Sequence, residues 1–542
     1  MKRFAFFSIT AVLAACGGPD TGASSDFNSP AIDAESFTAY VKALSADEFL
    51  GRKPFTRGDT LTVNYIAEEF GKIGLEPGNG DSYFQEVPMV EITSTPGPAL
   101  AFNKDSRQLQ LSYLDDYVIG SPRTDAQINI RETELVFAGF GIVAPEYEWN
   151  DYAGLDASGK TVVVMVGDPG FYDKDLFKGD TMTYYGRWTY KFEEAARQGA
   201  TGVLIIHETD AASYGWNVVR SGWTGPQLAL EAPHGAPSPA AFEGWITTAA
   251  ANRLFELAGH TDLVAQAKKP GFKPVPLDIT TGVSIKNEVR KSTSNNVLGK
   301  IQGSKYPDEY LIYTAHWDHL GVGEPIAGDS IYNGAIDNAS GIAALFELAK
   351  AFKSVETPPE RSILFLAVTA EEQGLLGSAY YVNHPVYPLS KTVANINIDA
   401  LSPLGRTSDI AVVGLGHSDM DDYATQAAGR QGRNVVPGGN PSAGSFFRSD
   451  HFNFAKVGVP ALYTGSGSDV IGKDSTAVAR LREAFGKRYH HVSDAYDETW
   501  DVDGMIEDIQ IAFDVGYTLS RERTFPKWKS GSEFKAAGEG RF

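Results

Sequence analysis

Tyr310-Leu-Ile-Tyr-Thr-Ala-His316-Trp-Asp318-His319 is the stretch that decides the fold. A run of apolar and β-branched residues, typical of a buried strand, ends abruptly in a histidine and a carboxylate. In open α/β sheets, ligands gather at the carboxyl ends of the strands. Histidine is the commonest metal ligand, so His316 indicates a metal site. Taken alone this is a weak signal, because a single histidine after a strand is more often a hydrogen-bonded structural residue.

The chain around this stretch alternates between strand and helix patterns. Strand patterns cover residues 310–315, 361–369 and 393–398. Helical spacing of apolar residues covers residues 35–44, 62–73 and 340–352. Strands that alternate with helices imply a mostly parallel sheet covered on both faces. We therefore expect an α/β fold in which a mixed, mostly parallel sheet is flanked by helices.

The bulk properties of the chain limit its partners. Its 542 residues are too many for one compact core, so two or more domains are expected. The formal net charge is -21, and such a surface repels phosphate backbones, which argues against a nucleic-acid partner. The charge otherwise indicates solubility. No pattern in the sequence predicts an oligomeric state.

The amino terminus has the pattern of a targeting segment. A positively charged start precedes an apolar run too short to span a bilayer, as in a signal peptide. The run ends in Leu13-Ala-Ala-Cys16, which resembles the lipobox of bacterial lipoproteins, whose cysteine is lipidated. We expect a lipoprotein signal peptide over residues 1–16 and a flexible tether over residues 17–30. An ordinary signal peptide with a chance cysteine is the alternative.

The lipid on Cys16 would associate the protein with the membrane. We expect it in the bacterial cell envelope, anchored to the outer membrane and facing the periplasm or the exterior. Cys16 is the only cysteine, so no internal disulfide can form.

Further polar motifs share the chemistry of His316. They are Asp337 before the helix at 340–352, Glu371-Glu372 after the strand at 361–369, Asp399 after the strand at 393–398, and Tyr489-His490-His491 in a late loop. Each has an ordinary explanation when taken alone. An aspartate caps a helix, a glutamate pair suits a helix start, an aspartate after a strand forms a turn, and loop histidines lie on the surface.

Taken together, these motifs indicate a metal centre. Three predicted strands each end in ionisable groups, and all three ends would meet at one edge of the sheet. The acidic groups there would repel one another unless a cation neutralised them. Two divalent metal ions, each bound by carboxylates and imidazoles, would do so.

The motif set resembles that of a known family. His316-x-Asp318, Asp337-Asn338, Glu371-Glu372, Asp399 and Tyr489-His490 follow the order of motifs in the di-zinc aminopeptidase family, which also contains the glutamate carboxypeptidases. The resemblance implies a catalytic metallopeptidase core over residues 282–525, with residues 31–132 as its N-terminal part. Residues 526–542 would form a frayed tail.

The middle of the chain resembles a second domain. Residues 133–271 look like the β-rich protease-associated domain that is commonly inserted in this family. The likeness rests on the sequences around Gly139-Phe-Gly-Ile-Val-Ala and Lys191-Phe-Glu-Glu-Ala-Ala.

The resemblance also implies ligands for two zinc ions. His316 and Asp399 would hold one ion. Glu372 and His490 would hold the other, and Asp337 would bridge both. His490 is preferred to His491 because the family places a tyrosine immediately before this ligand and an aspartate four residues after it.

Other residues would act without binding the metal. Asp318 would orient His316, Glu371 would be the general base, and Tyr489 would donate a hydrogen bond to the oxyanion. A base must keep an unligated carboxylate, which explains why two glutamates are adjacent. His319 has no role in this scheme, and we expect it to be a structural residue in the wall of the site.

These roles predict a zinc-dependent exopeptidase. The leading expectation is an aminopeptidase that releases N-terminal residues from peptide substrates. A carboxypeptidase of the same family, in which basic pocket residues grip a terminal carboxylate, is the first alternative. A glutaminyl cyclase and a non-catalytic binding protein are further alternatives, and the complete ligand set argues against both.

Overall fold

The computed structural model describes residues 29–97, 99–231 and 238–542. The predicted signal peptide, Cys16 and nearly all of the predicted tether lie outside the described residues. Within those ranges, no helix combines the length and the apolar composition that crossing a bilayer requires.

The described chain forms helices and strands in alternation. The helices are α1 (Ala34–Leu44), α2 (Arg57–Ile73), α3 (Trp188–Arg197), α4 (Thr209–Ala212), α5 (Trp216–Gly222), α6 (Thr248–Ala258), α7 (Leu263–Ala267), α8 (Ser340–Ser354), α9 (Leu376–Asn383), α10 (Met420–Arg430), α11 (His451–Lys456), α12 (Ser475–Gly486), α13 (Asp503–Arg521) and α14 (Lys535–Glu539). The strands are β1 (Glu76–Pro77), β2 (Phe84–Pro96), β3 (Ala99–Lys104), β4 (Arg107–Ser112), β5 (Tyr117–Gly120), β6 (Gln127–Phe137), β7 (Val143–Ala144), β8 (Trp149–Asn150), β9 (Thr161–Met165), β10 (Gly202–His207), β11 (Pro226–Leu230), β12 (Phe242–Thr247), β13 (Val275–Ile301), β14 (Tyr306–His316), β15 (Gly321–Ile326), β16 (Asp329–Tyr332), β17 (Arg361–Val368), β18 (Thr392–Asn397), β19 (Asp409–Val413), β20 (Asn434–Gly438) and β21 (Ala461–Ser466).

The sheet that carries the site is mostly parallel at its centre. β14 lies between β17 and β18, and both neighbours run parallel to it. β21 continues the sheet in parallel beside β18, whereas β13 pairs with β17 in the antiparallel direction. The residues of β14, β17 and β18 that pair are almost all buried, as expected for strands covered on both faces. The predicted mixed, mostly parallel α/β fold is confirmed.

Helices from distant parts of the chain cover this sheet. α8 packs on β14, and α1, α2 and α13 pack on α8. Local sequence fixes the ends of the two early helices. The Asp33 side chain accepts hydrogen bonds from the amides of Glu35 and Ser36 at the start of α1, and Gly74 ends α2 with a left-handed φ of 85°.

The middle of the chain forms a second hydrophobic core. Its buried side chains run from Leu100 to Ile285, whereas the first core combines residues 32–75 with residues 297–519. β6, β9, β10 and β12 form its parallel strands, and β5 closes it in the antiparallel direction. The predicted domain boundaries at residues 133 and 271 stay predictions. The buried side chains of the second core begin before the first boundary, at Leu100, and end after the second, at Ile285.

The carboxyl terminus is packed, so the expectation of a frayed tail is wrong. Trp528 and Phe534 are buried with Phe446 and Phe452, and Glu533 pairs with Lys178. The many lysines and glycines of this segment suggested solvent exposure. Its two buried aromatic side chains outweigh that composition, because each buries a large apolar area.

Candidate metal centre

Three neighbouring strands deliver the predicted side chains to one edge of the sheet. His316 is the last residue of β14, Glu371 follows β17, and Asp399 follows β18. Because these strands are parallel neighbours, their carboxyl ends lie side by side.

Asp337 lies at the centre of the cluster. It belongs to the turn that leads into α8, and its backbone amide donates to Oδ2 of Asp494 at 3.1 Å. Its Oδ1 lies 3.1 Å from Nε2 of His316, and its Oδ2 lies 3.4 Å from Nε2 of His490. The two oxygens of one carboxylate therefore face two different histidines.

The first group of donors is His316, Asp337 and Asp399, whose ligand atoms lie within 4.8 Å of one another. Nε2 of His316 is 3.3 Å from Oδ1 of Asp399. The other oxygen of Asp399 accepts a hydrogen bond from the Ser449 hydroxyl at 2.6 Å. That hydrogen bond holds the carboxylate with Oδ1 toward His316.

The second group of donors surrounds Glu372. Its Oε2 is 2.9 Å from Nε2 of His490, and its Oε1 is 2.7 Å from Nδ1 of His319. His319, Asp337 and Glu372 also have ligand atoms within 4.8 Å of one another. His491 points elsewhere, because its Nδ1 contacts the hydroxyl of Ser493 at 2.8 Å.

Asp318 contacts both His316 and the glutamate pair. Its Oδ1 is 3.7 Å from Nδ1 of His316, and its backbone oxygen is closer, at 3.2 Å. The same carboxylate accepts hydrogen bonds from the backbone amides of Glu371 at 3.0 Å and Glu372 at 3.4 Å. Asp318 thus also fixes the turn that separates the two glutamates.

Glu371 and Tyr489 lie beside the two groups of donors. The Glu371 side chain is 12% exposed, and its Oε2 lies 4.0 Å from Nε2 of His316. Burial raises the pKa of Glu371 well above its usual value, and His316 opposes this shift while Asp399 adds to it. The ring of Tyr489 stacks on that of His490 with centroids 3.8 Å apart, and Tyr489 is 62% exposed.

The electrostatics of the cluster fit a cation. Burial alone would lower the pKa of His490, but the close Asp337 and Glu372 carboxylates raise it to about 10. Burial likewise opposes protonation of His316, yet Glu371 and Asp399 raise its pKa well above the usual value. The buried Nε2 atom of His490 makes no well-formed hydrogen bond in the described chain. Buried carboxylates around imidazole nitrogens of this kind match the preferred ligands of zinc.

Sequence reasoning assigned no chemical role to some residues of the site. Arg52 is buried beneath the site and donates to the carbonyl groups of Leu44, Trp317, Asn333 and Gly334 at 2.5–2.8 Å. It lies far from the motifs in sequence, and nothing local identifies it. The hydroxyl of Tyr463 donates to the backbone oxygen of Asp399 at 3.2 Å. His319 carried a signal, since it directly follows the first motif, but its spacing matched no ligand.

The fold and the cluster define an α/β protein with a carboxylate–imidazole centre of the metallopeptidase class. Residues 296–513 match the sequence model of peptidase family M28, and this segment belongs to that family. The segment contains every predicted ligand and base, and the predicted family is confirmed for it.

Known proteins resemble parts of the chain. Aminopeptidase NAALADL1 of Mus musculus is 38% identical over 138 residues, which are 24% of this chain and 17% of that protein. Aminopeptidase YwaD of Bacillus subtilis is 33% identical over 177 residues, covering 31% of this chain and 34% of that protein. The chain therefore spans only 17% of the length of the first relative and 34% of the length of the second. The solved aminopeptidase from Aneurinibacillus sp. strain AM-1 aligns with a TM-score of 0.48 at 20% identity, over 91% of this chain and 95% of that one.

Proposed function

We propose that the chain is a zinc-dependent aminopeptidase that removes N-terminal residues from peptides. The observation that carries this proposal is the division of Asp337 between two donor groups. Its two oxygens face His316 on one side and His490 on the other. A carboxylate in that position is suited to bridge two cations. The aminopeptidases named above support the substrate class.

His316, Asp337 and Asp399 would hold one zinc ion. Glu372 and His490 would hold the second, with Asp337 shared. When bound, two such cations would lower the pKa of water and offset negative charge on the substrate carbonyl oxygen. The number of ions is part of the proposal.

Glu371 would move the proton. Its carboxylate would accept a proton from the attacking water and return it to the departing amine. The raised pKa of Glu371, caused first by burial, makes its carboxylate a stronger base. Asp318 holds the backbone amide of Glu371 at 3.0 Å, which orients the base. Tyr489 would donate a hydrogen bond to the oxyanion that forms at the substrate carbonyl.

The test is a comparison of peptides with free and blocked N-termini, with and without a metal chelator. We expect hydrolysis of the free peptides only, loss of activity with chelator, and recovery after zinc is added. Activity that survives complete removal of metal would overturn the proposal, as would turnover of blocked peptides alone. Zinc binding without hydrolysis of any peptide would instead support a binding protein.

Neighbouring histidines offer a matched pair of variants. His490→Gln removes a proposed ligand, so we expect it to lose bound zinc and activity together. His491→Gln removes a side chain that contacts Ser493, and we expect it to match the wild type. The reverse result would assign the ligand to His491.

A carboxypeptidase is the second candidate, and a pair of arginines favours it. Burial lowers the pKa of Arg187 to about 10, and the positive charge of the nearby Arg448 contributes to this shift. Within the described ranges the buried Nε of Arg187 has no hydrogen-bond partner. Arg448 precedes Ser449, which contacts Asp399. Two neighbouring cationic groups of this kind could together bind a substrate carboxylate.

Blocked peptides with free or amidated C-termini separate the two candidates. A carboxypeptidase would hydrolyse only those with a free carboxylate, and Arg187→Gln with Arg448→Gln would raise their KM. Arg220→Gln is the control, because Arg220 lies in the same part of the chain and is half exposed.

We also propose that Cys16 carries a lipid that anchors the protein to the outer membrane. The lipobox pattern Leu13-Ala-Ala-Cys16 supports this. Cells fed labelled palmitate should label the wild type and not Cys16→Ser. Residues 133–271 are proposed as a protease-associated domain on the sequence likeness given above.

A further inference from the structure

His319 is a buried histidine that the proposed mechanism does not use. It follows β14 and has no exposed surface. Its ring packs against the backbone of Gly334, where a side chain would not fit: a Cβ atom there would lie 2.6 Å from Cγ of His319. The rings of His319 and His490 meet edge to face with centroids 5.7 Å apart. The fold therefore makes room for this imidazole beside the second donor group.

The contact between His319 and Glu372 divides the two carboxylate oxygens. Nδ1 of His319 lies 2.7 Å from Oε1, while Oε2 lies 2.9 Å from Nε2 of His490. An ionised carboxylate can only accept hydrogen bonds, so Nδ1 of His319 carries the hydrogen. One oxygen is thereby occupied by His319, and the other faces His490.

We propose that His319 is a positioning residue for the second cation. It holds the Glu372 carboxylate so that Oε2 alone is presented as a ligand. This rests on the proposed function, because it assigns Glu372 to a bound cation. Without the hydrogen bond, the carboxylate would rotate among several orientations, and binding would have to order it again. Loss of such a supporting hydrogen bond typically costs about 10- to 100-fold in metal affinity.

Two substitutions of His319 separate positioning from direct ligation. The amide nitrogen of asparagine lies near the place of Nδ1 in histidine, whereas that of glutamine lies near the place of Nε2. His319→Asn therefore keeps the donor to Glu372, and His319→Gln loses it. His491→Gln, at the partly buried neighbour of His490, is the control.

The readout is cation affinity, independent of catalysis. Metal-depleted protein is titrated with Co²⁺, followed by visible absorption, and Zn²⁺ affinity is measured by competition with a chromophoric chelator. We expect the wild type to bind two equivalents. His319→Gln should bind the first equivalent normally and the second about 10- to 100-fold more weakly. His319→Asn and His491→Gln should stay within a few-fold of the wild type.

Each other outcome overturns the proposal in a distinct way. If His319→Gln binds both equivalents as tightly as the wild type, the contact with Glu372 has no effect on the cation. If His319→Asn is as weak as His319→Gln, Nε2 rather than Nδ1 matters, and His319 is a ligand. A wild type that binds neither cation overturns the proposed function as well. Thermal melting of the variants without metal shows that they are folded, since a general loss of structure would weaken both equivalents equally.

Discussion

Glu371 and Glu372 are adjacent in sequence, yet the fold gives them different surroundings. Both backbone amides donate to Asp318, which fixes the turn between them. Beyond that turn, Glu372 contacts His319 at 2.7 Å and His490 at 2.9 Å. Oε2 of Glu371 lies 4.0 Å from Nε2 of His316. These surroundings match the roles proposed above, in which Glu372 binds a cation and Glu371 accepts a proton.

Replacing the proposed base tests this division. Glu371→Gln keeps the size of the side chain but cannot accept a proton, so we expect kcat to fall by about 10²- to 10⁴-fold. The zinc content, measured by atomic absorption, should stay that of the wild type. Glu372→Gln is the comparison, and it should lose zinc. A Glu371→Gln enzyme with normal kcat would exclude Glu371 as the base.

Arg52 ties the early part of the chain to the site. Its guanidinium reaches the carbonyl group of Trp317, between His316 and Asp318, and that of Gly334, in the turn before Asp337. Because it is fully buried, its loss would leave several carbonyl groups without a donor.

We expect Arg52→Met to lower the free energy of unfolding by about 3 kcal/mol or more, because hydrogen bonds to charged groups are among the strongest. Urea denaturation measures the change. Arg57→Met, at an exposed position five residues on, should change stability by about 0.5 kcal/mol or less. Equal stability of Arg52→Met and wild type would show that water replaces the guanidinium.

At the scale of helices and strands, sequence patterns located the elements that carry the site. The strand predicted at residues 310–315 is part of β14, and the helix predicted at residues 340–352 is part of α8. Strong periodicity makes such elements recognisable. β13 was harder to predict. The catalytic core was expected to begin at residue 282, and β13 runs through that position from Val275 to Ile301. β13 reaches this length because it pairs with β2, β6 and β17. No local sequence pattern predicts which strands pair with it.

Sequence patterns likewise predicted only part of the site. The ends of β14, β17 and β18 could be predicted to meet, because each ends in a residue type that binds metal. The contacts of His319 and Arg52 could not, since they depend on packing between segments that are distant in sequence.

α3 carries a lysine with unusual chemistry. Lys191 is buried, and its Nζ donates to the backbone oxygen of Gly167 at 2.9 Å. Burial lowers the pKa of Lys191 to about 7, although Asp168 and Asp151 oppose this. A lysine in the unfolded chain titrates near 10.4. Between these values the unfolded chain binds more protons than the folded chain, so the free energy of unfolding rises with pH.

We expect this contribution to raise the urea midpoint of the wild type relative to Lys191→Met as the pH increases from 7 to 9. The difference between the two proteins at each pH isolates the lysine together with Asp151 and Asp168, the carboxylates that interact with it. Lys269→Met, at an exposed lysine, should track the wild type at every pH. A constant difference would show that Lys191 keeps its ordinary pKa.

At the scale of the whole molecule, a bound cation should stabilise the fold. The donors come from the ends of three strands, the turn before α8 and a late loop, so a cation would link segments that separate on unfolding. A ligand that binds only the folded state stabilises it by about 2.7 kcal/mol at 100 times its dissociation constant.

Thermal melting in excess zinc and in chelator measures this stabilisation. We expect the wild type to melt several degrees lower in chelator, because losing a stabilisation of that size lowers Tm by several degrees. Asp337→Asn removes the shared donor and should melt at nearly the same temperature in both conditions. Identical melting of the wild type in zinc and in chelator would contradict a cation that links these segments.

α1 and α2 pack on α8, which is made much later as the chain leaves the ribosome. Roughly 280 residues separate the end of α2 from the end of α8, which corresponds to roughly 15 to 60 seconds of synthesis at about 5–20 residues per second. During that time the surfaces of the two early helices that pack on α8 lack that partner. The core between Leu100 and Ile285 is already complete by then, so the middle of the chain can fold before its two ends meet.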